Sequence, residues 1–191
     1  ALLTGESNGY YEDFGEFEHI RKAFEKTYVY DGIYSPHRKK TFGSSALGHT
    51  YDQFVVFSQN HDQVGNRMMG DRLSKLINFE QQKLSAVAVL TSPYTPMLFM
   101  GEEYAEEKPF QYFVSHTDTE LVEAVRKGRK AEFAYFHHPD RETPDPQSVE
   151  TFLNSTLSWD MNTPRRKAMH HLYRKLITIR KKYPALRIEA R

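Results

Sequence analysis

Residues 54 to 67 read FVVFSQNHDQVGNR: four apolar side chains in a row, then an abrupt change to Asn60, His61 and Asp62. A continuous run rich in Val and Phe is the pattern of a strand covered on both faces. A helical pattern follows over 73–91, with Leu84, Val87, Ala88 and Thr91 on one face and a stop at SPYTP. A second apolar run, Met97 to Met100, lands on Gly101-Glu102-Glu103. Strand, helix and strand, with strand starts roughly 40 residues apart, predict a right-handed parallel βαβ unit. In parallel α/β folds, ligand-binding and catalytic groups collect at the C-terminal ends of the strands. The apolar run is therefore expected inside a sheet or barrel, with Asp62 at the tip of a buried strand, facing the mouth.

The remaining pattern is mostly helical. Asp13 is expected to cap a helix with Phe17, Ile20 and Phe24 on one face. Residues 28–52, rich in Tyr, Gly, Ser and charge, read as a long irregular loop. A helix from Thr117 or Asp118 carries Leu121, Val122 and Val125 and runs into RKGRK at 126–130, read as a solvated face. Residues 137–150, HHPDRETPDPQSVE, form a loop. The last helix is capped by Thr163, has Pro164 in its first turn, buries Met169, Leu172, Leu176 and Ile179, and stops before Pro184. Trp159, the sole tryptophan, is expected to be a packing anchor. The opening Ala-Leu-Leu without an initiator Met, and the closing LRIEAR, read as cut ends of a longer chain.

Composition removes several function classes. The 191 residues carry 26 basic and 25 acidic side chains, a formal net charge of +1. That balance gives no electrostatic case for nucleic acid or for an anionic membrane. With no cysteine there are no disulfides or thiolate metal sites. No apolar run approaches the roughly 18 residues of a spanning helix, and the N-terminus has no signal-peptide pattern. A soluble, cytoplasmic protein is expected.

The residues alone leave several chemistries open. His61-Asp62 can bind sugar hydroxyls, bind a metal or be structural. Asn60 and Gln63 alongside supply the mixed donors and acceptors that a hydroxyl-rich ligand needs. A metal site wants further ligands at helical spacing, which neither His137-His138 nor His170-His171 provides. His-Asp metal phosphohydrolases place their pair on a helix, whereas this one follows a strand-like run. Glu102 and Glu103 form either an acid/base couple with Asp62 or a buried contact that holds the loop, with the other carboxylate in solvent. Arg67 binds ligand or pairs with an acidic loop residue.

FVVFSQNHD resembles the motif that ends the seventh barrel strand in the α-amylase family of glycoside hydrolases, and SPYTPMLFMGEEY resembles the eighth-strand motif. LTGESNGYYEDFG, YDGIYSPHRKKTFG, NHDQVGNRMMGDRL, GEEYAEEKPFQYF and PDPQSVETFLNSTLSW are together similar to the trehalose-releasing branch of that family, over nearly the whole chain. The resemblance implies that Asp62 is the transition-state stabiliser, the third catalytic carboxylate, and that His61 binds the same sugar. It implies that Asn60, Gln63 and Arg67 line the site and that Glu102 and Glu103 are structural supports. The implied reaction is retaining hydrolysis of the α-1,4 bond next to the terminal trehalose of a malto-oligosaccharide. No cofactor or metal is implied. Other activities of the family (branching or amylolysis) and a non-catalytic sugar-binding fragment remain alternatives.

In that family the nucleophilic Asp and the acid/base Glu come from the fourth and fifth strands, which are expected to precede this sequence. The expected fold is thus α/β, residues 1–191 forming the C-terminal part of a (β/α)8 barrel. It holds two strands with their helices, is predominantly helical, and lacks the earlier strands and the C-terminal β-domain. Such a piece is expected to be inactive alone. Its uncovered strand edges should make it self-associate, and sedimentation showing a compact monomer at high concentration would contradict this.

Overall fold

The computed structural model describes residues 1–134 and 142–186; His137, His138, the rest of 137–141, and 187–191 of the closing stretch lie outside the described residues. In chain order the elements are α1 (Phe17–Lys26), β1 (Asp31–Ser35), β2 (Lys40–Gly43), β3 (Val55–Val56), α2 (His61–Gly65), α3 (Leu73–Leu76), α4 (Phe79–Leu90), β4 (Thr95–Pro96), α5 (Thr119–Ala134), α6 (Val149–Asn154) and α7 (Pro164–Lys182). They divide into two compact units. The first comprises Ala1–Ser58, Phe79–Met97 and Leu172–Arg191, the second Gln59–Asn78 and Leu98–His171. No helix among the described residues is long and apolar enough to cross a membrane.

The first unit contains a parallel pair at the first predicted strand, with its partner just ahead of the predicted second run rather than on it. Val55 lies opposite Thr95 and Val56 opposite Pro96. The Thr95 amide donates to the Phe54 carbonyl at 3.0 Å and the Met97 amide to the Val56 carbonyl at 2.8 Å. The strands are shorter than expected. Met97–Met100 is not a strand, and Val55 is 54% exposed rather than covered on both faces. Among the described residues each strand has one hydrogen-bonded neighbour, and burial of both faces requires flanking strands and packed layers. Pro96 also has no N–H to extend a ladder.

The helix expected over 73–91 is two helices, α3 and α4, interrupted at Ile77-Asn78. The buried face of α4 is Gln82, Ser85, Ala86, Val89 and Leu90, while Leu84 and Val87 are exposed. Apolar residues surround this helix on nearly all sides, so periodicity does not select a face. Arg180 of α7 donates to the carbonyls of Leu90 (3.2 Å), Ser92 (2.5 Å) and Tyr94 (2.5 Å), satisfying acceptors that the end of α4 leaves free. The Tyr94 hydroxyl in turn donates to the Ala23 and Phe24 carbonyls at the end of α1, at 3.0 and 2.9 Å.

Asp13 does not cap α1. Glu16 does, in a capping box with His19, and Phe17 stands 81% exposed. Asp13 instead accepts hydrogen bonds from the Tyr30 hydroxyl (2.6 Å), the His37 amide (3.1 Å) and the Ser35 hydroxyl. It thereby fastens an antiparallel hairpin, β1 with β2, inside the stretch expected to be irregular. A carboxylate with three donors around one turn replaces the apolar alternation that would have signalled those strands.

In the second unit Val64, Ile77, Phe99, Tyr104, Ala105, Phe133 and Met169 are buried. Phe99 and Phe110 meet edge to face at 5.3 Å, and Phe110 and Phe113 at 5.8 Å. Asp118 caps α5, accepting from the Glu120 and Leu121 amides at 2.8 and 3.1 Å. Thr163 caps α7 through the Arg166 amide at 3.2 Å. α7 runs from the second unit into the first; its buried residues are Met169 in the second unit and Tyr173 and Leu176 in the first, where Ile179 is exposed.

Candidate active site

The chain enters the second unit at Gln59, three residues after β3 ends. Asn60 opens α2: its Oδ1 accepts from the Gln63 amide at 2.8 Å, the bond that an N-cap makes. Val64 and Gly65 are buried on one side of this turn, while His61, Asp62 and Gln63 are exposed on the other. His61 Nε2 lies 3.3 Å from Asp62 Oδ1, with the two side chains 70% and 71% exposed. A pinned backbone therefore displays an open carboxylate beside an imidazole. Arg67, just beyond, is half-buried.

Asp62 consequently lies in the first turn of a five-residue helix, six positions past Val56, and not at a strand tip. The polar side chain of Asn60 is the physical reason. It supplies an acceptor that turns the chain into a helix as soon as the apolar run is over. The strand-tip contrast with His-Asp metal hydrolases falls with this placement. Among the described residues no group of three or more His, Cys, Asp or Glu is placed to hold a metal ion.

The second motif lies in the same unit. Gly101 has φ +88°, and a Cβ there would stand 2.8 Å from the Glu106 Cβ and 2.9 Å from Leu157 Cδ2. Only glycine supplies both that conformation and that clearance. The turn buries Glu102 and leaves Glu103 half-buried. Buried Gln59 bridges the two motifs, donating to Glu102 Oε2 at 3.4 Å and accepting from the Leu73 amide at 3.2 Å. Glu102 is thus placed to hold the loop through Gln59.

Three residues that sequence reasoning passed over organise this unit. Glu106 is buried and accepts on both oxygens. Oε1 takes the Glu107 and Lys108 amides at 2.8 and 3.0 Å and Arg166 Nη2 at 3.2 Å. Oε2 takes the Tyr104 hydroxyl at 3.1 Å and both the amide and hydroxyl of Ser158 at 2.6 Å. Burial alone would raise this carboxyl, but the Lys108, Ser158 and Glu107 donors outweigh it and hold it at about 2. Burial, with the Glu106 charge second, pushes the Tyr104 hydroxyl up to about 12. Arg72, fully buried, donates to the Lys108 and Met100 carbonyls, each at 2.7 Å. Its signal is the RL pair after NHDQVGNRMMGD, which composition alone does not separate from a surface arginine.

The third is Arg129, from the RKGRK stretch that reads as solvated. It is only 9% exposed. Nη2 donates to the Gly65 carbonyl at 2.9 Å, and Nη1 to Asn66 Oδ1 at 3.2 Å and to Glu132 at 2.9 Å. Its guanidinium lies over the Tyr112 and Phe133 rings at 4.8 and 4.6 Å. Trp159 also departs from expectation: it is 72% exposed, at φ +53°, in the turn after Ser158, with its ring 6.4 Å from Tyr104. The Ser158–Glu106 bonds fix that turn from below, so the indole is carried by the network rather than anchoring it.

No protein-family model matches the chain. It is 46% identical over 183 residues to malto-oligosyltrehalose trehalohydrolase of Saccharolobus solfataricus, covering 96% of this chain and 31% of that protein. The enzyme of the same name from Brevibacterium helvolum is 40% identical over 188 residues (96% and 32%), and that of Mycobacterium tuberculosis 38% over 185 residues (94% and 32%). A crystal structure of a candidate α-amylase from Salmonella typhimurium superposes with a TM-score of 0.87 at 40% identity, covering 96% of this chain and 32% of that one. The chain spans about a third of the length of the curated relatives that it matches.

Proposed function

We propose that this chain, related along nearly its whole length to one segment of the malto-oligosyltrehalose trehalohydrolases, belongs to a glycoside hydrolase of that activity. The enzyme cleaves the α-1,4 bond beside a terminal trehalose with retention and releases trehalose. β3 and β4 are the seventh and eighth strands of its (β/α)8 barrel. The observation that carries the reading is the similarity together with the display of His61 and Asp62, both exposed on a turn whose other side is buried.

In this reading Asp62 accepts hydrogen bonds from hydroxyls of the sugar whose glycosidic bond breaks. As that bond lengthens, positive charge grows on the ring, and a fixed carboxylate is attracted more strongly to the transition state than to the ground state. His61 binds the same ring. Gln63 and Arg67 line the site, and Asn60 shapes it through its cap. Glu102 and Glu103 support the neighbouring loop.

Retaining chemistry also needs a nucleophile and a proton donor about 5 to 5.5 Å apart, and the resemblance puts these on strands preceding β3. A polypeptide of these 191 residues therefore releases no trehalose at an enzyme-like rate, since stabilising charge without those groups leaves most of the barrier standing. The test is to compare trehalose release from malto-oligosyltrehalose with hydrolysis of plain maltodextrin by the full-length protein. Preference for the first supports the reading. Preference for maltodextrin, or formation of branches, replaces it with another activity of the family, and trehalose release by the 191-residue piece alone overturns the division of roles.

A further inference from the structure

We infer that Arg129 is the positioning residue for the Asp62 carboxylate. The inference rests on the proposed role of Asp62 and adds to it a residue at a distance of 67 positions along the chain. α2 is five residues long, too short to hold a fixed geometry through its own hydrogen bonds. Something outside it must set where its first turn points. One end is set by the Asn60 cap and the middle by buried Val64. The other end is held by Arg129, which donates to Gly65 and Asn66 at once.

The geometry favours a positioning device over a generic packing contact. A planar guanidinium bonding two acceptors in a fork fixes direction as well as distance. Arg129 is itself held from three sides, by Glu132, Tyr112 and Phe133, so the fork is anchored before it reaches α2. The charge also sits at the carbonyl end of the helix, the favourable end for a cation. Asp62, by contrast, is exposed, and its backbone is tied one turn on to a residue that Arg129 holds: the Asn66 amide donates to the Asp62 carbonyl at 2.9 Å, and Arg129 donates to Asn66 Oδ1. A shift at Asn66 is transmitted to Asp62 through that bond.

The test is a double-mutant cycle in the full-length enzyme, run on whichever α-glucan the wild-type protein cleaves. Arg129→Met is expected to lower kcat by about tenfold or more with little change in KM, because a small misplacement of a catalytic group is felt in the transition state. In the Asp62→Asn background the same change is expected to alter kcat by less than about twofold, since there is no carboxylate left to position. Arg129→Lys keeps the charge but cannot bridge both acceptors, and is expected to fall between wild type and Arg129→Met. If Arg129→Met does not fold, the cycle is read from Arg129→Lys, again with loss in wild type and none beside Asp62→Asn. Equal losses in the two backgrounds, or full kcat in Arg129→Met, overturn the inference while leaving Asp62 in its role. Full kcat in Asp62→Asn alone overturns the role itself.

Discussion

Asp62→Asn in the full-length protein is expected to lower kcat on malto-oligosyltrehalose by roughly a hundred- to a thousandfold, the scale on which one preorganised electrostatic group acts in an active site. The substitution keeps shape and removes charge. Because the carboxylate is 71% exposed and lies on the open side of α2, its loss leaves packing untouched, and stability should move by no more than about 0.5 kcal/mol. KM should change far less than kcat, since attraction to a carboxylate grows only as the ring acquires charge. Steady-state kinetics with a thermal melt checks both halves. A melt unchanged and kcat unchanged would remove Asp62 from the chemistry; a large fall in melting temperature would mean that the side chain is structural.

Glu106→Gln is expected to cost about 3–5 kcal/mol of stability at neutral pH, the range for removing one partner of a buried ionic network. An amide cannot replace this carboxylate in either orientation. Both oxygens accept from backbone N–H groups, those of Glu107 and Lys108 on one side and Ser158 on the other. Whichever way the Gln amide is turned, its NH2 faces a donor. The folded-state value of about 2 lies below the ordinary 4.5, so this carboxylate's contribution is complete above about pH 4.5 and is lost as pH falls towards 2. Denaturant unfolding at pH 7 should therefore show a large gap between wild type and Glu106→Gln, and the gap should narrow at pH 3. An equal gap at both values would show that the ionised form is not what stabilises the unit.

That two short parallel strands, one near residue 55 and one in the mid-90s, are joined by a helical connection was legible from the first apolar run and the length of the connection. The second strand, however, is Thr95–Pro96 and not the apolar run at 97–100. The last helix was legible because Thr163 and Pro164 mark its start in a local code. The hairpin at 31–43 was not, since its stability comes from Asp13, 18 positions before it begins, and no period in the strands announces that bond. Arg129 was not legible for a related reason. In the string RKGRK every residue looks solvated, and only the approach of the Gly65 carbonyl makes one of them a buried fork. Trp159 misled in the opposite direction: tryptophan is mostly buried, and the Ser158 bonds that hold its turn outward involve residues 52 positions away. At the site itself the sequence singled out His61 and Asp62, while their placement on a helix followed from the Asn60 cap. Asn60, expected to line the site, also holds the backbone through its Oδ1.

Asp62 is expected to meet the glucose ring that donates the broken bond, and the direct measurement is the structure of the full-length protein with a malto-oligosaccharide, the glycosyl half of the substrate, bound. An Asp62 carboxylate oxygen is expected about 2.6–3.2 Å from hydroxyls of that ring, beside His61, with two further carboxyl groups about 5–5.5 Å apart across the scissile position. A malto-oligosaccharide bound with its reducing-end ring away from Asp62, or with another carboxylate in Asp62's place on those hydroxyls, would contradict it.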